Sequence, residues 1–487
     1  MKHIAIIGAG LGGLTAGALL AKKGYRITLL EQHTVVGGCA STFYRKGGFT
    51  CEVGLHKMDG VYNNPTIARI FHTLGIYDAV QFVKSKDFFT VTTARGTYTL
   101  PYGIQEATHY LITHFPHESK GITAYFRLID HIGKEIDKMQ NLTWYHYLLF
   151  PFLFWHTLYY RKSSVTEVLD RLIKDETLKL ILNANVQYYN DHPDTLSFIL
   201  HAKAQSSFFH GGGWFIKGGS SRLSTHLATI ITSEGGQVLT TAMVTACTPT
   251  QVTFTHKKHT QILETDLIVS NLSPEDTYAL FNHPYREKRA ISNGLCTLYL
   301  GFSQNLKTVY GSRPYTNFFF DSIDTLHRYK TLLKKDISQR GFGFTDYAQI
   351  DAGLTKEAHK SFAVACTTDY IEAWEELDEE AYRQKKATLI STTIERLEKH
   401  YPGIGALVEY AEVATAKTQK RYLKTPQGTA YGYKPTPQTF FHIPRSHSRE
   451  IENLYFVGQW VIAGGFSPAL LSGELCAMEI AAHSQSS

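Results

Sequence analysis

Residues Lys2 to Ser41 constrain this chain more than any other stretch. His3-Ile4-Ala5-Ile6-Ile7 is a short apolar run of the kind that forms a buried strand, and Gly8-Ala9-Gly10-Leu11-Gly12-Gly13 follows it directly. A helical stretch of small and apolar residues, Leu14 to Lys23, stops at Gly24, and a second strand, Arg26 to Leu30, ends on Glu31. A Gly-x-Gly-x-x-Gly between strand and helix, with an acid about twenty residues on, is the dinucleotide-binding βαβ fingerprint. Gly8 permits the tight turn, Gly10 lets backbone N–H groups reach a pyrophosphate, and Gly13 lets the helix pack on the strand. Gly8, Gly10, Leu11, Gly12 and Gly13 therefore form the candidate phosphate cradle at a helix N-terminus, and Glu31 is placed to accept hydrogen bonds from a ribose diol. Glycine clusters often make only turns; here strand, helix, second strand and terminal acid agree.

The residues after Glu31 bear on which dinucleotide binds. Gly37-Gly38-Cys39-Ala40-Ser41 places a second glycine pair one short loop later. A nicotinamide-binding domain has no standing need for it. Flavoproteins with this βαβ unit often use such a pair to let backbone pass close to the FAD pyrophosphate and ribityl chain, which favours FAD over NAD.

Length and composition narrow the class. At 487 residues the chain has room for two or three domains with sizeable cores. The net charge of +6 is modest and the Lys and Arg residues are scattered, so no nucleic-acid partner is expected. Cys39, Cys51, Cys247, Cys296, Cys366 and Cys476 lie far apart without a Cys-x-x-Cys, so neither a metal site nor a disulfide framework is expected. With the first strand this near the N-terminus no signal peptide is expected, and a reducing, cytoplasmic location is the default.

Further along, Arg45 to Gly60 reads as turn, strand, turn, with a strand across Phe49 to His56 in which Glu52 and His56 flank Gly54. Asn63 to Gly75 reads as a helix, and the stretch from Asp87 to Leu100 as strands. Leu142 to Tyr160, LTWYHYLLFPFLFWHTLYY, carries no Asp, Glu, Lys or Arg, and Arg161-Lys162 follows it. Its length is near that of a membrane span, but Trp and Tyr run along all of it instead of gathering at two interfaces. Three readings stay open: a buried helix pair broken at Pro151, an interfacial patch dipping into one leaflet, or a transmembrane helix.

A second glycine cluster, Gly211 to Ser221, precedes a helix from Leu223 to Ser233, and strands are expected at Gln237 to Ala246 and at Leu263 to Ser270. This is the grammar of the nucleotide domain returning after an insertion. A second excursion, from about Pro274 to Thr425, carries the acidic run Glu372 to Glu380, read as a solvated helix face. Asn453 to Gln459 reads as a buried strand, and after Gly464-Gly465 a helix runs to His483 with Ser467 as N-cap and Pro468 in its first turn. The positive end of such a helix would stabilise negative charge at N1/C2=O of a reduced flavin.

These blocks together resemble the FAD-dependent family of bacterial phytoene desaturases, carotenoid isomerases and retinol saturases. The resemblance is carried by Gly8 to Gly13 with Glu31, Gly37-Gly38, Val53-Gly54 with His56, Phe215 to Ser221, Leu267 to Asn271, and Leu454 to Gly473. Gly37-Gly38-Cys39, Gly54-Leu55-His56, Tyr431-Gly432 and Gly458-Gln459 lean towards the saturase and isomerase side. It implies an α/β fold: a Rossmann-like FAD-binding domain of the glutathione-reductase type with an inserted α+β substrate domain. The expected FAD-binding pieces are 1–75, 206–273 and 426–487; the substrate domain is 76–205 with 274–425, and 142–162 is its membrane-contacting segment. The resemblance also implies non-covalent FAD and an apolar tunnel for a polyene lipid entered from a membrane surface, which places the protein peripherally on the inner face of the cell membrane. By position, Gly38, Cys39 and Ser41 would line the pyrophosphate and ribityl path, Val244 would meet the adenine through its backbone, and Gly458 with Gln459 the ribityl phosphate. Cys39 stands where many relatives have arginine, Glu52 replaces the usual aspartate, and Gln459 replaces the aspartate common in desaturases.

The expected chemistry is saturation, desaturation or redox-assisted cis–trans isomerisation of a conjugated system, with the cofactor and substrate positioning doing most of the work. His56 is the candidate proton donor or flavin tuner, set against a structural histidine bonded to backbone. Tyr431 and Tyr433 are weaker candidates for lining the pocket. Two other readings are an amine-oxidase-like flavoenzyme on a small soluble substrate and a non-catalytic lipid or carotenoid carrier. No second Gly-x-Gly-x-x-Gly is visible, so no electron donor or acceptor is named.

Overall fold

The computed structural model describes residues 2–139, 149–333, 335–439 and 445–486. At its centre lies β1 (His3–Ile7), followed by α1 (Leu11–Lys22) and β2 (Arg26–Leu30). The sheet built on β1 has five strands in the order Leu454–Phe456, Leu267–Ser270, β1, β2, Gln237–Leu239, all parallel. Covered on both faces, β1 is apolar at every position after His3, as a central parallel strand requires.

Small residues on α1 let two other helices approach it closely. A Cβ on Gly17 would stand 2.8 Å from Ile231 Cδ1 in the helix Ser221–Ser233. One on Gly473, in the C-terminal helix Phe466–Ser486, would stand 2.7 Å from the Gly12 carbonyl oxygen and 2.7 Å from Thr15 Cβ. That helix begins two residues before Pro468, so Ser467 lies inside it and is not the N-cap; its hydroxyl instead donates to Asp59 Oδ1 at 2.9 Å. The helix expected from Asn63 to Gly75 is α2 (Pro65–Thr73), started by Asn64 Oδ1 accepting from the N–H groups of Thr66 and Ile67.

Two expected strands are each divided between two sheets. Gln237–Leu239 ends at Thr240-Thr241, where Thr241 takes a positive φ of 56° and donates its N–H to His33 O, and Ala242–Thr248 begins a separate three-stranded antiparallel sheet. On the return, His259–Glu264 and Leu267–Ser270 are parted at Thr265-Asp266. There the Thr265 hydroxyl accepts from Ala5 N at 3.0 Å and Asp266 Oδ2 from His3 N at 2.6 Å, so side chains take over β1 pairing where the chain changes sheet.

A seven-stranded sheet forms the other half: Val408–Ala414, Gly294–Phe302, Ser361–Asp369, Phe342–Asp346, Thr316–Phe319, Phe89–Thr93, Gly96–Leu100. Its single parallel junction joins Thr316–Phe319 to Phe89–Thr93, so segments far apart in sequence share one ladder. Helices Ile104–His114, Ser119–Met139 and Phe198–Gly211 pack with it around an aromatic-rich core. The acidic run Glu372 to Glu380 is not one helix face: Ile371–Ala373 is a 3₁₀ turn, and only Glu379 and Glu380 enter the helix that Asp378 caps.

Of the aromatic stretch, 142–148 lies outside the described residues. The remainder forms two short helices, Phe150–Leu153 and Trp155–Tyr160, parted at Phe154 and not at Pro151. Phe154 is fully buried, whereas Leu149, Trp155 and Tyr159 are exposed and Phe152 is 83% exposed. Glu135 holds this pair down: its carboxylate accepts from Thr157 N at 2.8 Å and pairs with His156 Nδ1 at 2.7 Å. Among the described residues no helix is long and apolar enough to cross a membrane.

Gly473→Ala forces the C-terminal helix away from α1, because the added methyl meets backbone and not a flexible side chain. It is expected to cost about 1–3 kcal/mol, read as a lower unfolding midpoint by calorimetry, whereas Gly24→Ala, with open space around its Cβ, is expected to act only through its positive φ.

Candidate cofactor and active site

The glycine loop and Glu31 are joined directly. Ala9 N donates to Glu31 Oε2 at 2.8 Å and His33 N to Oε1 at 2.9 Å, which fixes the buried carboxylate beside the start of α1. Gly8 turns the chain with φ of 93°, and Gly10 begins α1 without a side-chain cap, so the first helical N–H groups remain available to a ligand. Leu11, the first helical residue, is buried beneath the loop.

The second glycine pair packs on the first. Gly37 N donates to Ala9 O at 2.7 Å, and a Cβ on Gly38 would lie 3.6 Å from Gly10 Cα. Positive φ angles of 117° and 57° at Gly37 and Gly38 make this turn, and the Ser41 hydroxyl closes it on Gly38 O at 2.7 Å. Gly458 comes from the far end of the sequence: a Cβ on Gly12 would stand 2.5 Å from its nitrogen. Gln459 follows, with its carbonyl against Gly432. Val244 sits two residues beyond Ala242, whose N–H bonds Glu31 O at 2.8 Å, and a bulge after Val244 breaks the ladder there. Cys39 is half-buried, and its thiol is pushed up to about 11 by loss of water and by Glu52, so it brings no charge to the cradle.

This arrangement fits FAD. Backbone from Gly8 to Gly13, Gly37 to Gly38 and Gly458 comes together at the uncapped start of α1, where most added side chains would collide, and Glu31 is fixed beside it where the fingerprint calls for a partner of a ribose.

Glu52 and the Gly218-Gly219-Ser220 turn form a joint that the sequence did not single out. The buried carboxylate accepts from Ser220 N at 2.7 Å, Ser220 Oγ at 2.6 Å, Leu55 N at 3.1 Å and Gly54 N at 3.3 Å. It ties β4 (Phe49–Glu52), which pairs with β3 (Thr42–Arg45), to the start of the helix Ser221–Ser233. The sequence named Glu52 and the Phe215 to Ser221 motif separately; nothing along the chain showed that they meet.

His56 lies on the next turn. Tyr347 OH donates to Leu55 O at 2.8 Å and Tyr315 OH to His56 O at 2.5 Å, so two tyrosines from the larger sheet region hold this loop. The His56 Nδ1 to Tyr188 OH distance is 3.0 Å. Burial, helped by Lys57, pushes the imidazole down to about 4, and burial raises the Tyr188 phenol well above its ordinary value. The pair is therefore neutral around pH 7. Lys57 is itself pushed down to about 7 by burial, its Nζ bonded to Phe88 O. Tyr431 packs beside Gly464, its phenol raised by burial with contributions from Cys366, Tyr188 and Cys39. Tyr433 points elsewhere, bonding Tyr285 OH at 2.7 Å and meeting Trp460 edge-on.

A parallel βαβ sheet with this cradle, joined to a large mostly antiparallel sheet, is the architecture of a dinucleotide-binding flavoprotein fold. Residues 11–481 match the family described as flavin containing amine oxidoreductase, and the chain belongs to it. FAD is its cofactor. It is 25% identical over 514 residues to an all-trans-retinol 13,14-reductase of Danio rerio, covering 97% of this chain and 84% of that protein. It is 26% identical over 521 residues to a chloroplastic prolycopene isomerase of an Oncidium hybrid, covering 98% and 83%. A putrescine oxidase redesigned for cofactor binding superposes over 99% of both chains with a TM-score of 0.66 at 15% identity, a likeness of fold.

Burial raises Glu52 from its ordinary 4.5 to about 7, so the folded protein holds this proton more tightly than the unfolded chain. The stability it contributes is full below the unfolded value and falls as pH rises to about 7, by up to about 3 kcal/mol. Unfolding midpoints measured across this window should fall less steeply in Glu52→Gln than in the parent; parallel curves would remove Glu52 as the titrating group.

Proposed function

We propose that this flavoenzyme acts on conjugated double bonds of a hydrophobic polyene of carotenoid or retinoid type, by saturation, desaturation or redox-assisted cis–trans isomerisation. The observation that carries this is near-full-length similarity to both a retinol reductase and prolycopene isomerases, proteins whose named substrates share a conjugated chain and no amine. The likeness to amine oxidases is one of fold and does not by itself favour a small soluble amine.

Bound FAD would be the source or acceptor of the hydride. Saturation of one C=C takes up a hydride and a proton, desaturation releases both, and isomerisation leaves the count unchanged. The chain's part is to position, to exclude water and to hold the proton. His56 and Tyr188 hold it in a neutral hydrogen-bonded pair, against which an apolar chain lies without stripping water from a charge. Tyr315 and Tyr347 fix the loop that carries His56. Tyr431 is the further residue in this reading that lines the pocket.

The deciding experiment is an anaerobic single turnover: reduce the bound flavin chemically, add an all-trans polyene such as retinol or lycopene, and record the spectrum. A blue-shifted polyene band with returning oxidised flavin identifies a saturase. Altered cis/trans ratios with unchanged flavin identify an isomerase. If neither appears, desaturation by the oxidised enzyme is the remaining arm, and failure there with several polyenes sinks the reading. In the active direction His56→Ala is expected to cost about a hundredfold in turnover; a loss under about threefold retires His56 as a proton carrier. Because His56 titrates near 4, the parent's rate should show no ionisation of this group around neutral pH.

The same reading seats the protein peripherally on the inner face of the cell membrane, through the face that exposes Leu149, Phe152, Trp155 and Tyr159, with Lys162 exposed beside it. Sedimentation with anionic liposomes is expected to carry the parent down and to leave most of a Phe152→Ser/Trp155→Ser double variant in solution. Equal sedimentation of both would move the contact elsewhere.

A further inference from the structure

Among the described residues, the side chain of Asn271 stands at the meeting point of the glycine segments and forms no hydrogen bond there. Asn271 follows the strand Leu267–Ser270 at its carboxyl end, beside the end of β1, and its own N–H bonds Ile7 O at 2.9 Å. Ligands of open parallel sheets bind beyond these strand ends. Its amide lies between two glycine segments: Nδ2 is 2.3 Å from where a Gly10 Cβ would stand, and Oδ1 is 2.3 Å from where a Gly458 Cβ would stand and 2.9 Å from that of Gly12. Oδ1 is buried with no hydrogen-bond partner among the described residues. A buried acceptor left unpaired costs free energy unless the local field compensates. Here the field does so, because Gly12 belongs to the uncapped first turn of α1, whose N–H groups carry partial positive charge.

That orientation decides what the other end of the amide does. With Oδ1 turned inward against Gly12 and Gly458, the Nδ2 donors are directed along Gly10, the glycine at which backbone approaches the dinucleotide pyrophosphate. We propose that Asn271 is a cofactor-binding residue that donates its Nδ2–H to a diphosphate oxygen of FAD. It supplies from the neighbouring strand the side-chain contact that a neutral Cys39 does not. Among groups of its size, aspartate would place an anion against the diphosphate and leucine would offer no donor. The proposal is independent of which substrate the enzyme turns over.

The test reads flavin release, not turnover. Purified holoenzyme is diluted and the rise of free-flavin fluorescence is followed at about pH 8 and about pH 5. Asn271→Asp keeps the shape but replaces the donor with an anion. It is expected to release FAD at least about fivefold faster at the higher pH, with the difference shrinking at the lower pH, where a carboxylic acid beside a diphosphate regains a proton to donate. A merely structural spacer predicts release like the parent at both pH values, and that result overturns the proposal. So does equally fast release at both pH values, because it reports a distorted loop and not a lost donor. If Asn271→Asp does not accumulate folded, Asn271→Ser takes its place: release at least about fivefold faster with an unchanged circular dichroism spectrum supports the contact, and a smaller change overturns it.

Discussion

The close approach of backbone to backbone around the start of α1 is the constraint on which the rest of this protein depends. Gly12 meets Gly458 and Gly473, Gly13 meets the Gly8 carbonyl, and Gly38 meets Gly10. None of these approaches leaves room for a side chain without displacement, except at Gly38, where the contact is ordinary but the positive φ still favours glycine. Segments separated by more than four hundred residues are thus locked into one surface at the start of α1. Because the atoms involved are main chain, the surface offers N–H groups and partial charges that are held in place before a ligand arrives.

Burial does the electrostatic work next to this cradle. Glu52, Cys39, His56 and Lys57 all lose some of their preference for the charged form, Glu52 because it is fully buried and the other three because they are partly removed from water. Glu52 keeps its acceptors busy with four donors, so it serves as a joint between strand and helix. His56 and Tyr188, both neutral, present polar atoms without a net charge, a compromise suited to holding a proton beside an apolar molecule. The tyrosines that steady this loop come from the region of the large sheet, so hydrogen bonds to main-chain carbonyls couple that sheet to the loop carrying His56.

The first forty residues were legible because every part of their signal is local. An apolar run, glycines at set intervals, a helix of small residues and a terminal acid are all determined by neighbours in sequence, and β1, β2 and Glu31 stand where that grammar puts them, while α1 begins three residues early, at Leu11 inside the glycine loop. The same local logic overran at Gln237 to Ala246 and Leu263 to Ser270, where each continuous β-like stretch serves two sheets. The switch is made by Thr241, Thr265 and Asp266 through contacts with His33, Ala5 and His3, which no window along the chain reveals. Ser467 has the right residue type for a cap, yet Asp59 competes for its hydroxyl.

By itself, then, the sequence determined the dinucleotide unit, the preference for FAD and the family likeness, since these rest on short-range stereochemistry and on the order of motifs. Tertiary structure alone decided which distant groups meet: Ser220 with Glu52, Tyr188 with His56, Gly458 with Gly12, and Asn271 with Gly10, Gly12 and Gly458. It also decided how Phe154 and Phe152, two residues apart in one aromatic run, came to lie on opposite sides of the surface. The reason is physical: a hydrogen bond or a burial energy depends on who is near in space, and spacing along a chain specifies that only within a turn of helix or a pair of strands.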